Sequence, residues 1–539
     1  MRFPLIKGRW LSPLAIVAAL ILGYATAGAA PTWSPDFNIS GGDVNETYTS
    51  LNGQRSAVVD DSSNLYIAFF DNRNKNGSDN NFEIFFRRFV HNFGSPGITR
   101  VTNFYNPSKY PSLATLPWGD TDTTTYSDSG RVYITWQDAR LFSIPAAGEP
   151  ISYTIFFKTF QSNGGLGFGP DIQVSPYDST SAATSPVVAR GDSSRVWIVW
   201  QKPPTEGAFP DLYYATYNVM TKVMSAATLL TNDPATSSSP SMASSRNGVV
   251  HVVWMDTRTG SQQIWTKRFV PGTGWTADQQ LTFSTGSATQ PSITTGRSGR
   301  AHLVWRDNRD GNNEIYYKEY LPATGWNATD VRLTTNSATQ SEPIVDADPM
   351  DNLYVVWTDQ RNGTTNPDIF YQERKLGVWQ GDVPLVSAAS DTSNSVQQFP
   401  TITHDGDGTL FVSWTDYRLP ASTGKNREIY YKVGTGQITG VAATEAPALT
   451  RLLRNYPNPF NPATKILFRL ERDAQASLRI FDVHGRLVRT LVDSYLAAGQ
   501  REVEWDGRDD HGRSLASGTY FMKLEGGGTY ATKTVNLLK

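Results

Sequence analysis

The stretch AHLVWRDNR at residues 301–309 decides the fold of this 539-residue chain, because its pattern occurs in six further copies. Each copy is a β-branched and aliphatic run that ends in an aromatic residue, usually followed by Asp-x-Arg. The aromatic anchors are Phe69, Trp136, Trp200, Trp254, Trp305, Trp357 and Trp414. They recur every 51 to 67 residues, and self-similarity at such a period is typical of a repeat architecture.

Each repeat contains four segments that read as short strands. The first begins at a proline, as in PSITT at 291–295, and a tight Gly/Asn/Asp turn joins it to the anchor run. The third resembles EIYYKEY at 314–320, and a weaker fourth ends in patterns such as QQLT at 279–282. This pattern predicts an all-β fold, a seven-bladed β-propeller over residues 31–433. A β-helix or one large sandwich is the alternative, but neither explains four turn-separated strands per period.

The seventh repeat lacks a fourth strand, because its third strand is followed by GTGQITG. The segment WSPDFNIS at Trp33–Ser40 resembles the missing strand. We therefore expect Trp33–Ser40 to pair with the third strand of the last blade. That pairing would remove an open sheet edge that invites aggregation.

The recurrent Asp-x-Arg predicts a clamp, because alternation along a strand places the aromatic residue, the Asp and the Arg on one side. We expect each arginine to bridge its own aspartate and the acid that starts the third strand, such as Glu83, Glu314, Asp368 or Glu428. The structural acids are Asp71, Asp138, Asp256, Asp307, Asp359 and Asp416. A second hypothesis stays open, in which an anionic ligand is bound by Arg73, Arg140, Arg258, Arg309, Arg361 and Arg418.

The copy at Trp200 departs from the pattern, because KPPTEGAFPD follows it in place of Asp-x-Arg. Longer insertions also follow Arg73 and Arg140. The Asp-x-Arg face, which carries the long connections between blades, is therefore expected to be asymmetric around the first three blades. Binding residues concentrate on loops held by a rigid scaffold, so a ligand is expected there.

Composition excludes several classes of protein. The chain has no cysteine, so disulfides and thiolate sites are impossible, and its net charge of −2 gives no attraction to nucleic acid. The segments Asn72–Asp79 and His404–Gly408 have some oxygen-ligand spacing for calcium, but neither completes a calcium loop. No metal site and no cofactor are expected. No motif of a hydrolase nucleophile or a phosphate loop is present.

The two ends of the chain carry separate signals. Residues 1–30 have a basic start, an apolar run and the small residues ATAGAA, the order of a secretory signal peptide. No later segment is expected to span a membrane. Residues 434–451 read as a linker, and residues 452–539 read as a small immunoglobulin-like β-sandwich with Trp505 and Tyr520 in its core.

Four motifs in residues 452–539 carry a resemblance: NYPNPFNPAT, IFDVHGRLVRTL, EWDGRDDHGRSLASGTYF and the terminal KTVNLLK. Together they resemble the C-terminal sorting domain of the bacterial type IX secretion system, and also the immunoglobulin-like domain of the flagellar hook-capping protein. The resemblance implies that the tail engages secretion machinery of a Gram-negative bacterium. The protein would then be secreted or held on the outer cell surface.

The repeats resemble sialidase-like propellers of secreted bacterial proteins, although the Ser-x-Asp-x-Gly-x-Thr-Trp box of that class is absent. The expected function is binding of a glycan or protein ligand rather than catalysis. A sialidase-like glycoside hydrolase is the alternative, and it would need an acidic pair or a tyrosine nucleophile. A structural protein of the cell envelope is a third hypothesis.

Overall fold

A computed structural model describes most of the chain after residue 30, and the predicted signal peptide lies outside the described residues. The described residues are 31–40, 47–50, 55–60, 63–73, 81–89, 97–115, 131–142, 151–161, 167–191, 194–296, 298–385, 395–405, 408–418, 427–435, 450–470, 473–482, 486–497, 499–526 and 529–538. The described residues fall into two compact units, a larger one within residues 31–160 and 167–435 and a smaller one within residues 450–538, to which residue 161 is also assigned. Across these ranges no helix has the length and apolar character that a membrane span needs.

The larger unit contains seven small antiparallel sheets among its described residues, one for each sequence repeat. Two short strands come first, β1 (Thr32–Trp33) and β2 (Phe37–Asn38). Sheet 1 consists of β3 (Thr47–Tyr48), β4 (Ala57–Val59), β5 (Leu65–Asp71), β6 (Glu83–Phe89) and β7 (Ile98–Arg100). Sheet 2 consists of β8 (Ser108–Ala114), β9 (Arg131–Asp138), β10 (Thr154–Gln161), β11 (Gly167–Phe168) and β12 (Ile172–Gln173).

The next three sheets repeat this order. Sheet 3 consists of β13 (Thr184–Arg190), β14 (Arg195–Lys202), β15 (Asp211–Asn218), β16 (Val223–Met224) and β17 (Thr228–Leu229). Sheet 4 consists of β18 (Ser237–Ser244), β19 (Val250–Asp256), β20 (Gln263–Val270), β21 (Gly274–Trp275) and β22 (Gln279–Gln280). Sheet 5 consists of β23 (Ala288–Thr295), β24 (Ala301–Asp307), β25 (Glu314–Leu321), β26 (Gly325–Trp326) and β27 (Val331–Arg332).

The last two sheets complete the unit. Sheet 6 consists of β28 (Gln340–Ala347), β29 (Leu353–Asp359), β30 (Asp368–Lys375), β31 (Val378–Trp379) and β32 (Val383–Pro384). Sheet 7 consists of β33 (Gln397–His404), β34 (Thr409–Asp416) and β35 (Glu428–Thr435), with β1 and β2 beside β35. The first strands contact one another in the order β4, β8, β13, β18, β23, β28, β33, and β33 returns to β4. The unit therefore has a propeller-like fold.

The core lies between neighbouring sheets, where the anchor aromatic residues are fully buried. Trp305 of sheet 5, for example, packs in one cluster with Ile264 and Leu281 of sheet 4. Trp357 likewise packs with Ile315 and Tyr317 of sheet 5. A fully buried aromatic residue in each interface, Phe69 for sheet 1 and a tryptophan for the other six sheets, explains why the anchor is the most regular part of the repeat, since such side chains dominate core energetics.

The first strands contain a repeated β-bulge that corrects one expectation. Pro291 is the fourth residue of β23, not its first, and the register shifts between Thr289 and Ser292. Gln290 has a φ of 51°, in the left-handed region. The bulge takes Pro291 out of the ladder, so the proline loses no hydrogen bond although it lies within the strand.

The N-terminal segment completes sheet 7. Trp33 pairs with Gly434, and Phe37 pairs with Tyr431, both antiparallel to β35. A Cβ atom at Gly434 would lie 2.7 Å from the Trp33 ring, so the glycine lets this ring lie against the strand. The ring also meets Tyr371 of sheet 6 edge-on, with 5.3 Å between centroids.

The smaller unit is a two-sheet β structure. Its three-stranded sheet consists of β36 (Thr450–Tyr456), β37 (Thr464–Leu470) and β40 (Gly499–Trp505). Its four-stranded sheet consists of β38 (Ala474–Phe481), β39 (Leu487–Leu496), β41 (Gly518–Gly526) and β42 (Thr529–Leu537). Trp505 and Tyr520 are buried in its core, as the sequence predicts, with 5.5 Å between ring centroids.

Two buried histidines in the larger unit make its stability sensitive to acid. Burial lowers the pKa of both His251 and His302 to about 3, and the positive charges of Arg268 beside His251 and Arg374 beside His302 act in the same direction. Between pH 6.5 and about 3, the unfolded chain binds protons at these positions that the folded chain does not. The free energy of unfolding therefore falls as the pH falls through this range.

We predict that His251→Leu reduces this acid sensitivity. Between pH 5.5 and 4, where the unfolded histidine is almost fully protonated and the folded one is almost fully neutral, the pH slope of the unfolding free energy should fall by about 1.4 kcal/mol per pH unit, the contribution of one proton. Chemical unfolding at several pH values measures the slope. His511→Leu, at an exposed position of the smaller unit, is the matched control and should keep the wild-type slope; equal slopes in both variants would contradict the prediction.

Candidate functional site

The Asp-x-Arg motif forms a buried network that joins three strands of one sheet. In sheet 5, Trp305 Nε1 donates to Asp307 Oδ2 over 3.1 Å, and Arg309 Nη2 donates to the same carboxylate over 2.5 Å. Arg309 Nη1 reaches Asp330 of the fourth-strand segment over 2.7 Å. The guanidinium also lies 4.4 Å from the centroid of the Tyr316 ring on the third strand.

A lysine extends the network to the preceding sheet. Lys318 Nζ lies 2.9 Å from Asp330 Oδ1 and donates to the carbonyl oxygen of Leu281 in sheet 4 over 2.7 Å. Lys267 makes the same two contacts, with the Asp278 carboxylate and the carbonyl oxygen of Leu230. Lys432 makes them with the Asp36 carboxylate and the carbonyl oxygen of Leu385. The network therefore ties each of these sheets to its neighbour as well as tying its own strands together.

The charges of the network stay paired. Burial alone would raise the pKa of Asp307, but hydrogen bonds from Arg309, Ser284 and Trp305 lower it below its usual range. The Arg309 guanidinium has a raised pKa, because Asp307 and Asp330 outweigh its own burial. A charged group in this environment needs a partner of opposite sign.

Five arginines pair both with their own aspartate and with an acid of the fourth-strand segment. The pairs with the second acid are Arg140–Asp171, Arg258–Asp278, Arg309–Asp330, Arg361–Asp382 and Arg418–Asp36. In sheet 1, Arg73 pairs with Asp71 and donates to the carbonyl oxygen of Ser40 over 2.7 Å. The side chains of these six arginines are 10 to 27 % exposed.

The predicted pairing of each arginine with the acid that starts the third strand is wrong for Arg309 of sheet 5, which does not pair with Glu314. Glu314 pairs with Arg332 over 2.7 Å and accepts from Asn312 and Thr334. Its register partner is Asp307 itself. Two acids side by side at the strand end repel each other, so each has its own arginine. Glu83 of sheet 1 likewise pairs with Arg100.

Sequence reasoning missed the fourth-strand acids, although a signal was present. They follow an aromatic residue of the outer strand, as in WSPD at 33–36, FGPD at 168–171, WTAD at 275–278 and WQGD at 379–382. The third-strand lysine also has a signal, because it lies two residues after the ring on which the arginine stacks in four sheets, although sheet 6 has Gln372 at this place. Both become recognisable only when the repeats are aligned on all four strands.

The departing copy in sheet 3 lacks the whole network. Lys202 stands where the aspartate would be, Ala215 replaces the lysine and Ala227 replaces the fourth-strand acid. The Trp200 indole is fully buried and its Nε1 has no hydrogen-bond partner among the described residues. Lys202 instead pairs with Asp178 over 2.9 Å and lowers the pKa of that carboxyl to about 2.

A cavity of about 160 Å³ lies at the other end of the first strands. Its walls include Thr294 and Thr295, which are next to the hairpin of sheet 5, whereas Ala288 at the start of β23 pairs with Asp307 of the Asp-x-Arg motif. This cavity is therefore at the hairpin end of the first strands, opposite to the end at which the sequence predicts a ligand. Its described wall includes hairpin residues of two sheets, Gly296 of sheet 5 and Asp348 and Pro349 of sheet 6.

A charged cluster from three sheets lies at the cavity wall. Asp346 of sheet 6 is 3.3 Å from Arg55 Nη1 of sheet 1 and 2.6 Å from His404 Nδ1 of sheet 7. Arg55 Nη2 also lies 3.4 Å from the carbonyl oxygen of Val345 and 3.5 Å from that of Ile293. Burial favours neutral His404, but the Asp346 carboxylate outweighs it and raises the pKa of His404.

The described residues contain no group of three histidine, aspartate or glutamate side chains arranged to hold a metal ion. The two segments with calcium-like spacing, 72–79 and 404–408, lie partly outside the described residues. Calcium binding by these segments therefore stays a hypothesis from the sequence.

Comparison with known proteins identifies part of the smaller unit. Residues 457–529 match the family model described as the FlgD Ig-like domain. No curated protein sequence matches the chain.

Solved structures with a similar fold are distant. A polysaccharide lyase, Uly1, is 11 % identical, with 78 % of this chain and 95 % of the lyase covered and a TM-score of 0.43. A fungal alcohol oxidase of the AA5 family is 10 % identical, with 95 % of this chain and 100 % of the oxidase covered and a TM-score of 0.47. The NanB sialidase of Streptococcus pneumoniae is 9 % identical, with 79 % of this chain and 73 % of the sialidase covered and a TM-score of 0.35. Likenesses at this level carry no argument about chemistry.

We predict that Arg309→Gln destabilises the larger unit by about 3–5 kcal/mol, because it leaves Asp307 buried without its cation. Adding Lys318→Ala and Asp330→Ala, the residues found at these places in sheet 3, should cost much less than the sum of the single changes, because the charges act as a unit. Chemical unfolding measures each variant.

The matched control for this series is Arg300→Gln. Arg300 pairs with Glu319 near the solvent, with 43 % of its side chain exposed, so its loss should cost about 1 kcal/mol or less. Equal destabilisation by Arg300→Gln and Arg309→Gln would show that burial of the network contributes nothing.

Proposed function

We propose that this chain is an exported bacterial protein whose seven-bladed β-propeller, residues 31–433, binds a glycan or protein ligand without cleaving it. In this proposal residues 1–30 are removed as a signal peptide, and residues 434–451 link the propeller to a sorting domain at 452–539. The mature protein is released or displayed on the outer surface of a Gram-negative bacterium. It requires no cofactor.

The observation that supports binding rather than hydrolysis is the state of the acids at the cavity. Asp346 is engaged by Arg55, His404 and the Thr294 hydroxyl. Asp348 accepts hydrogen bonds from Met350 N and from the side chains of Asn352 and Tyr354, over 2.8 to 3.0 Å. Glycoside hydrolysis needs one acid that gives a proton and one that attacks or activates water. Both of these carboxylates are held by internal partners.

The same reasoning assigns the repeated motif to the scaffold. An arginine that is paired with two carboxylates and stacked on a ring has little left to offer an anionic ligand. We propose that Arg140, Arg258, Arg309, Arg361 and Arg418 are clamps, and that their aspartates are structural. Arg73 has the same role at the junction of sheets 1 and 7.

We predict that the purified mature protein binds members of a glycan or protein array but releases no fluorophore from a panel of glycosidase substrates, sialosides included. The variant Asp346→Asn is assayed on the same substrates, because a hydrolase that used this cavity would lose turnover with this change. Turnover by the wild type that Asp346→Asn abolishes would establish the hydrolase alternative and overturn the binding proposal.

The sorting role is supported by the Ig-like domain at residues 457–529 together with the four tail motifs. We predict that deletion of residues 452–539 leaves the protein in the periplasm of a host with a type IX secretion system. Fractionation and surface proteolysis measure its location. A control variant with Lys465 and Glu502 exchanged, an exposed pair, should be delivered normally; delivery of the deleted chain would refute the sorting role.

A further inference from the structure

Two opposite charges lie at the Asp-x-Arg end of the first strands, at the other end from the cavity. Arg306 stands between the anchor tryptophan and the aspartate of the motif on β24, and its Nε donates to Thr289 Oγ1 over 3.0 Å. Glu342 lies on β28 of the neighbouring sheet 6. Its Oε2 accepts from Thr358 Oγ1 and from Phe399 N of sheet 7, both over 2.8 Å. The site therefore joins sheets 5, 6 and 7.

These two charges do not pair with each other. Within the described part of the chain, no ion pair joins Arg306 to Glu342, and neither the Nη atoms of Arg306 nor Oε1 of Glu342 has a hydrogen-bond partner. Both side chains are half-buried, so part of each is accessible to solvent. Two donor atoms and one acceptor atom thus remain for a ligand.

Neither charge is fully compensated in the protein alone. Burial lowers the pKa of the Arg306 guanidinium and raises the pKa of the Glu342 carboxyl, and the opposite charge of the other residue does not reverse either change. In the clamp of the same sheet the outcome is the opposite, because pairing lowers the pKa of Asp307 and raises that of Arg309. A buried charge without a close partner is costly, so Arg306 and Glu342 both gain from a ligand that brings the opposite charges.

The scaffold does not need these two charges. At four described junctions, a side chain of one sheet accepts from the main-chain N–H of the bulge in the next sheet. The acceptor is a glutamine in three of them, Gln137 for Ser185, Gln201 for Ser239 and Gln290 for Glu342, and Glu342 itself in the fourth. Gln290 precedes the strand proline as Glu342 does, and Gln137 and Gln201 follow the anchor tryptophan as Arg306 does. Neutral side chains at both places therefore support the same fold.

We propose that Arg306 and Glu342 bind a small zwitterion, with its carboxylate held by the Nη atoms of Arg306 and its ammonium group held by Oε1 of Glu342. A guanidinium matches a carboxylate in shape and charge, and an ammonium group donates hydrogen bonds to a carboxylate. Amino acids and short peptides carry both groups. The inference rests on the proposed ligand-binding function, and at this site it favours a peptide over a glycan.

Calorimetry on the full mature protein tests the proposal with glycine, β-alanine, diglycine and triglycine, whose two charges lie progressively further apart. We expect one length to bind most tightly. The N-acetylated form of that ligand loses the ammonium group and its amide loses the carboxylate, so each should bind about tenfold more weakly or worse. If either derivative binds as tightly as the parent, the proposal is wrong.

Two glutamine variants assign the ends of the ligand. Glu342→Gln should weaken binding of the zwitterion about tenfold or more but leave the N-acetylated form unchanged, because that form lacks the group that Glu342 holds. Arg306→Gln should weaken the zwitterion and leave the amide unchanged for the same reason. Arg300→Gln, at the hairpin end of sheet 5, is the control and should change neither. Equal losses for the parent and both derivatives would indicate a structural effect and contradict the assignment.

The double variant Arg306→Gln, Glu342→Gln controls for folding. Its midpoint of chemical unfolding should equal or exceed that of the wild type, since glutamine stands at both places in other sheets, while binding of the zwitterion should be lost. A double variant that does not fold would show that the charges belong to the scaffold and would overturn the inference.

Sugars separate this inference from the proposed function. Galactose and galacturonic acid lack an ammonium group and should not bind through this pair. A sugar whose binding both single variants weaken would overturn the assignment to a zwitterion and support the proposed glycan binding. If no member of the peptide series binds at millimolar concentration, the inference alone fails, and binding of a glycan or protein on the array would still uphold the proposed function.

Discussion

The larger unit depends on one constraint: an aspartate buried at the end of the second strand must be neutralised where it lies. Asp307 and its counterparts Asp256, Asp359 and Asp416 are fully buried. Each accepts from a tryptophan indole and an arginine. The arginine then needs a second acid, which the outer strand supplies, and a lysine balances that acid in most sheets. In the sheets that have this network, it ties the outer strand to the second strand and, through the lysine, to the preceding sheet.

The two irregular sheets show how the constraint acts. Sheet 3 has lost the aspartate, the arginine, the outer acid and the lysine together, which avoids leaving any one of these charges buried alone. In sheet 7 the N-terminal segment supplies both the outer strand beside β35 and its acid, Asp36, which contacts Arg418 and Lys432. Arg87 of sheet 1 donates to the carbonyl oxygen of Ile39 in the same segment over 2.5 Å. The beginning of the described chain is thus part of both its last sheet and the junction with its first.

The repeat and its strands could be predicted from the sequence, because hydrophobic alternation and turn residues act over short distances. The partner of each arginine could not, because Glu314 and Asp330 are both acids near the right strand end. Only the register, with Glu314 opposite Asp307, decides between them. The cavity also could not be predicted from the sequence. Arg55, Asp346 and His404 are far apart along the chain, and they meet only because the first strands follow one another in a closed order.

The central claim is that the buried Asp–Arg–Asp network holds the sheets together, including the sheet completed by the N-terminal segment. A double-mutant cycle on Asp36→Asn and Arg418→Gln tests it most directly, because these residues are 382 positions apart in sequence and 2.7 Å apart in space. Chemical unfolding of the two single variants and the double variant should give a coupling free energy of about 1–3 kcal/mol. Additive effects, with no coupling, would contradict the account.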